Sequence, residues 1–130
     1  MNISTRIAGL LLLAALLVAC FGCDMVDPEK EMRLAIEAQQ AGQLTEAAEH
    51  YSRAINSEKL PQDNLYTAYY NRAVVWQELG ENSLALEDLN QLLSWDKHDL
   101  EALLLRGQSY HRLGHLGKAA GDFGTVVEVD

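Results

Sequence analysis

The chain has 130 residues with 10 basic and 19 acidic side chains, a net charge of −9, and 48% hydrophobic residues. That length serves one domain. No run of Lys or Arg exists, which excludes the electrostatic footprint of a nucleic-acid or anionic-headgroup binder.

The first element is an apolar run from Ile7 to Val18 behind Arg6, followed by Leu17-Val18-Ala19-Cys20. A bilayer core needs about 20 apolar residues, so a cleaved signal fits this shorter run better than a retained anchor. The small Ala19 before Cys20, with Leu17 and Val18 ahead of it, resembles the lipobox of bacterial lipoproteins. That resemblance makes residues 1–19 a signal peptide, Cys20 the lipidated mature N-terminus, and residues 20–27 a short tether. An ordinary secretory signal is the next alternative. Several buried acyl chains, at about 0.8 kcal/mol per CH₂, hold such a protein on the membrane. Cys23 has a poorer context for lipidation, and as the one remaining thiol it cannot build an internal disulfide framework. Phe21 after Cys20 implies the outer membrane, whereas Asp24 after Cys23 would imply inner-membrane retention. In a Gram-positive source the location becomes the outer face of the cytoplasmic membrane. Cleavage removes Arg6 and leaves 9 basic and 19 acidic residues, a net charge of −10.

Six helices are predicted beyond the tether. Asp27 followed by Pro28 reads as an N-cap with Pro in the first turn, opening a helix to about Ala41 that Gly42 ends. The second runs from about Leu44 to Ser57, and Pro61 lies in the loop that follows, where it breaks no helix. A third starts at Asp63 or Asn64 and ends near Leu79 with Gly80 as the turn. The fourth starts at Asn82 or Ser83 and ends near Trp95. Asp99 caps the fifth, which ends near Gly114, and the sixth runs from about Leu116 to Val129.

At an offset of thirty-four residues Arg72 superposes on Arg106, Ala73 on Gly107, Trp76 on Tyr110, Leu79-Gly80 on Leu113-Gly114, Ala85 on Ala119 and Leu89 on Phe123. A third copy upstream carries Gly42, Leu44, Ala47, Tyr51 and Ala54-Ile55 in the same order. These residues resemble the tetratricopeptide repeat, a helix-turn-helix unit. The resemblance implies an all-α solenoid of three units over about 28–61, 66–99 and 100–130. Each unit has an apolar stripe, a Gly turn and a second stripe, with Ala73 or Gly107 against Ala85 or Ala119 allowing close helix approach. One unit cannot bury its apolar face alone, so stacking supplies the core.

Arg72 and Arg106 share one repeat position and Asp88 and Asp122 another, where the first unit has Leu34 and His50. This pattern predicts an interhelical ion pair, Arg72 with Asp88 or Asp88 with Arg106, worth about 0.2 to 1 kcal/mol if partly exposed. Motifs for catalysis are missing. His111 and His115 have helical metal-ligand spacing, but Gly114 intervenes and no HExxH pattern completes them, so two surface histidines are the better reading. Gly107-Gln108-Ser109-Tyr110-His111 has neither the second Gly nor the preceding strand of a nucleophile elbow. No P-loop and no cofactor is expected.

The family resemblance assigns a partner-binding groove to the first helix of each unit. Its positions are Met32, Ile36 and Gln39; then Thr67, Tyr70, Asn71, Val74 and Gln77; then Glu101, Leu104, Leu105, Gln108 and His111. Apolar anchors supply affinity and amides fix register, which suits an extended peptide or an amphipathic helix. Met32, Ile36 and Leu105 could equally pad the core, while Tyr70, Asn71, Gln77 and Gln108 are expected to be exposed. Relatives that clamp a chaperone's C-terminal carboxylate use Lys, Asn and Arg at positions occupied here by Met32, Ile36, Asn71, Glu101 and Leu105. Only Asn71 survives, and Glu101 would repel that ligand.

The sixth helix contains Gly117, Gly121 and Gly124, each costing roughly 1 kcal/mol against Ala, and Val126, Val127 and Val129 need cover. It either packs on a second copy, giving a homodimer through the C-terminal helix, or on a partner, or it frays as the least stable part. The expected function is a non-catalytic adaptor on the periplasmic face of the outer membrane, binding protein partners of the cell envelope and no nucleic acid. Its architecture resembles lipoproteins that recruit cell-wall hydrolases or pilot assembly of type IV pilus secretins. An accessory subunit docking through its C-terminal helix is the alternative.

Overall fold

The computed structural model describes residues 25–128. The expectations for the signal, Cys20, Cys23 and Val129 lie outside those residues. Six helices follow in order: α1 (Pro28–Gln40), α2 (Leu44–Asn56), α3 (Gln62–Glu78), α4 (Asn82–Trp95), α5 (Leu100–Arg112) and α6 (Leu116–Glu128). Each packs on the next, and α3 also touches α5.

Local chemistry sets the ends. The Asp27 carboxylate accepts from the Glu29 and Lys30 amides at 3.1 and 3.2 Å, and Asp99 accepts from Ala102 at 3.0 Å. These bonds satisfy amides that a helix start leaves without partners. Gly42, Gly80 and Gly114 adopt φ of 75°, 82° and 78°, the left-handed turn that joins the two helices of each unit and that Gly adopts without strain. The third helix starts at Gln62 rather than at Asp63 or Asn64. Pro61 sits in the extended N-cap conformation, and its carbonyl accepts from Leu65 at 2.8 Å.

The core has two clusters that share α3 as a wall. Ala68 and Val75 of α3 close the first over Ala47, Tyr51, Ala54 and Ile55, while Ala73 joins the second with Ala85, Leu89, Leu92 and Leu93. Alanines at these contacts let the helix backbones come close enough for Tyr51 and Leu89 to be fully buried.

Two paired guanidinium groups stitch the units together. Arg72 Nη2 donates to Asp88 Oδ1 at 2.6 Å, and Arg106 Nη2 to Asp122 Oδ1 at 2.7 Å, so the pair forms within a unit. Each guanidinium also reaches back to the preceding unit, Arg72 to Ser52 Oγ at 2.9 Å and Arg106 to Asn90 Oδ1 at 3.0 Å. Asp88 is only 3% exposed, so the small stabilisation of a partly exposed pair does not describe it. Burial pushes its carboxyl up against the pull of Arg72, and removing either partner would strand a buried charge at about 3 to 5 kcal/mol. The first unit uses the opposite polarity. Glu31 on α1 meets His50 Nδ1 at 2.7 Å and accepts from Arg53 Nε at 2.8 Å, both on α2.

Gly107 lies directly beneath Phe123 of α6. A Cβ there would lie 2.5 Å from the Phe123 ring, inside van der Waals contact. The third unit therefore exchanges the Ala73–Leu89 combination for Gly107–Phe123, a small residue made smaller beneath a larger one.

Candidate partner-binding groove

The groove positions fall on α1, α3 and α5, the first helices of the three units. Ile36, Thr67, Glu101, Leu104 and His111 are exposed, and Gln39, Tyr70, Asn71, Val74, Leu105 and Gln108 are half-buried. Leu104, at 42%, and Ile36, at 37%, present aliphatic surface to solvent.

Five expected positions differ. Tyr70, Asn71 and Gln108 are half-buried rather than exposed. Met32 is buried in the first core cluster and forms the floor of the groove rather than its wall. Gln77 is buried, not exposed: its amide donates at 2.7 Å to both the Leu105 carbonyl and Ser109 Oγ on α5. An amide that bridges two units in this way is a structural joint, since a buried polar group is retained only where its bonds are met. Ser109 is thereby fully buried and engaged, consistent with its mid-helix position.

Three regions follow along the face. At one end Glu29, Met32, Arg33, Ile36, Asn64 and Thr67 line an open cleft of about 470 Å³ between α1 and α3. At the other, Gln108, His111, Arg112 and Phe123 line one of about 250 Å³. The middle carries Tyr66 and Tyr70, whose rings stack at 13° with centroids 6.3 Å apart. Tyr66 donates to Asp99 Oδ2 at 2.5 Å. Burial first, then the bond to Asp99 and the charges of Asp99 and Glu101, raises the Tyr66 phenol. Burial and the same two carboxylates raise that of Tyr70.

Beneath this surface Tyr51 donates to Gln39 Oε1 at 2.8 Å, and burial raises its phenol despite an opposing influence of Asn71. Sequence reasoning missed Tyr66, Asp99, Arg33, Arg112 and Phe123. The i,i+4 spacing of Tyr66 and Tyr70 was a legible signal, because it puts both rings on one helix face. Phe123 reaches its cleft from α6, for which no first-helix pattern could have accounted.

His111 lines the terminal cleft while His115 packs edge-on against Tyr110, with centroids 6.1 Å apart. Among the described residues no helix is long and apolar enough to cross a membrane, and no group of three or more His, Cys, Asp or Glu could hold a metal ion. The surface offers apolar anchors, half-buried amides and carboxylates, the chemistry of polypeptide recognition.

Comparison with known proteins agrees with this geometry. Residues 66–99 match the tetratricopeptide repeat family model. The chain is similar to a tetratricopeptide repeat protein from Parabacteroides merdae, at 30% identity and a TM-score of 0.70, covering 83% of this chain and 41% of that one. It is also similar to the Arabidopsis OM64 TPR domain, at 26% identity and a TM-score of 0.68, covering 82% and 84% of the two chains. The second TPR of Spaghetti (RPAP3), solved bound to the HSP90 peptide SRMEEVD, aligns at 23% identity and a TM-score of 0.68, covering 82% of this chain and 95% of that one. No match is found among curated protein sequences. The middle unit matches the tetratricopeptide repeat model, and the six helices among the described residues form a solenoid of three helix-turn-helix units.

Proposed function

We propose that this chain is a non-catalytic adaptor of the bacterial cell envelope, lipid-anchored through Cys20, that holds a partner protein in the groove of its three first helices. The observation that carries the reading is the pairing of exposed Ile36 and Leu104 with half-buried Tyr70, Asn71 and Gln108 on successive first helices. Apolar anchors with adjacent amides are what peptide docking requires. The lipobox-like sequence before Cys20 supports the anchor, and Phe21 after it supports the periplasmic face of the outer membrane. Recruitment of cell-wall hydrolases and piloting of a secretin are the two roles that fit.

The peptide seen in the Spaghetti domain is not the expected ligand. Its EEVD end is acidic, and Glu101 with Asp99 would oppose it. Tyr70→Ala combined with Leu104→Ala tests the groove by removing a ring and an exposed aliphatic anchor together. The double variant should lose partner binding in a crosslinking and mass-spectrometry assay while keeping its helical circular dichroism. Mass spectrometry of the mature N-terminus tests the anchor: wild type should carry acyl chains and Cys20→Ser none.

A second reading, docking through α6, is favoured by one observation. Val127 is 71% exposed, whereas Ile55 and Leu93, which occupy its position in the other units, are each 8% exposed under the following helix. Val127→Ser is the clean probe, because Val126 is half-buried against the second core cluster. Loss of partner binding with Val127→Ser alone would favour that docking mode.

A further inference from the structure

Charge is not spread evenly along the groove. Glu29 and Arg33 balance each other at the α1-end cleft, and His111 lines the α5-end cleft with Arg112, which donates to the Gln77 carbonyl at 3.2 Å. Asp99, which accepts from the Tyr66 hydroxyl, and Glu101 hold the middle, and both carboxylates act to raise the Tyr66 and Tyr70 phenols. Arg72, the cation on the same helix as the two tyrosines, is spent on Asp88 and Ser52.

The parts of this middle section are held with different firmness. Asp99 is fixed by its cap bond to Ala102 and its bond from Tyr66. Glu101 is exposed and makes no hydrogen bond or ion pair among the described residues, and neither does the half-buried Tyr70 hydroxyl. Glu101, Leu104 and Leu105 share one face of α5 by their i, i+3, i+4 spacing. The Tyr66–Asp99 bond holds the stacked tyrosines against the start of α5, and Tyr70 and Leu105 pack on the same core cluster, so a carboxylate, a ring and an aliphatic surface share this part of the groove. A positively charged side chain uses all three, with its head on the carboxylate and ring and its stem on the leucine.

We propose that Tyr66, Tyr70, Asp99 and Glu101 form a subsite for the ammonium or guanidinium group of a lysine or arginine on the partner segment bound in the groove. The inference rests on the groove reading and adds the ligand's chemistry: a segment with a central basic residue between apolar ones. The acidic character of the whole chain, at net charge −9, acts in the same direction by drawing cationic segments toward it. Unlike a clamp for a terminal carboxylate, the subsite needs no chain end, so an internal stretch of a partner fits it.

The test uses the full-length chain and a random library of acetylated, amidated nonapeptides, so that neither terminus supplies charge. Selected peptides should be enriched in Lys or Arg and should shift the methyl resonances of Leu104 and Val74. Their affinity should fall about fivefold in Glu101→Gln, a rim-charge effect, and more than about tenfold in Glu101→Lys. Tyr70→Phe should bind as wild type because the ring face remains, whereas Tyr70→Ala should weaken binding by about fivefold. Exchanging the basic residue for citrulline, which keeps the shape and loses the charge, should match the loss seen in Glu101→Gln. Peptides free of Lys and Arg that still shift Leu104 and Val74, and bind Glu101→Lys as well as wild type, would overturn the subsite and leave the groove standing. Peptides that shift only Val127 would overturn both.

Discussion

The middle of the array and its last helix carry the same repeat positions under opposite conditions. In α4, Leu89 and Leu92 are fully buried and Leu93 nearly so, because α3 covers one side and α5 the other. In α6, Phe123 and Val126 are half-buried and Val127 stands in solvent. One residue pattern therefore contributes differently according to what is stacked against it, as expected where each repeat touches only its neighbours. Side-chain identity sets the potential for burial, and the next unit realises it.

The comparison breaks most visibly at the buried ion pair. Asp88→Ala leaves Arg72 without its carboxylate at a buried joint, and chemical denaturation should show a loss of about 3 to 5 kcal/mol. Asp122→Ala, at the more open copy of the pair, should lose clearly less. Equal losses would mean that burial does not govern the difference.

Leu93→Ala and Val127→Ala sharpen the same contrast with apolar side chains. The first removes buried methyl groups and should cost about 2 to 3 kcal/mol, the second less than about 0.5 kcal/mol. A matched pair of urea titrations decides it.

Much of this was legible beforehand. Helix ends fell within a residue or two of their predicted places because Gly42, Gly80 and Gly114 mark each inner turn and Asp27 and Asp99 cap two of the starts. The pairing of Arg72 with Asp88 was one of two alternatives open to the 34-residue pattern, and side-chain reach chose the contact within the unit. Gln77 was misread because its partners, Leu105 and Ser109, are 28 and 32 residues away and leave no local trace. The Glu31–His50–Arg53 cluster was missed for a related reason: the first unit solves the same problem with acid and base exchanged between helices. The assignment of the groove positions to α1, α3 and α5 was legible, but the bond of Tyr66 to Asp99 spans 33 residues and leaves no local trace.

Gly107→Ala probes the compensated packing of the third unit. The added Cβ meets the Phe123 ring, so thermal unfolding should show a loss of about 1 to 2 kcal/mol despite the better helix propensity of Ala. Adding Phe123→Leu should recover most of it by restoring the combination used in the second unit.

Gly121→Ala should do the reverse. Its new Cβ meets nothing within 4 Å, so the substitution should stabilise α6 by about 0.5 to 1 kcal/mol. Slower amide exchange confined to α6 would register this.

The smallest effect concerns pH. Burial pushes the Glu31 carboxyl up, but the bonds and charges of Arg53 and His50 outweigh it and hold the group below its ordinary value of 4.5. A carboxyl lowered on folding contributes stability above its unfolded pKa, and the contribution fades as pH falls through the folded value. Acidification below about pH 4.5 should therefore loosen α1 against α2. Glu31→Gln should remove that part of the acid sensitivity, a difference of at most about 1 kcal/mol, readable from amide exchange in α1 at two pH values.

Site-specific photocrosslinking in the cell tests the docking claim most directly, with a photoreactive residue placed in turn at Tyr70, at Val127 and at the exposed Ser94 of α4. The groove reading predicts one discrete protein adduct from position 70, competed away by the selected basic nonapeptide, and none from 94 or 127. An adduct formed only from position 127, or equally from all three, would contradict it.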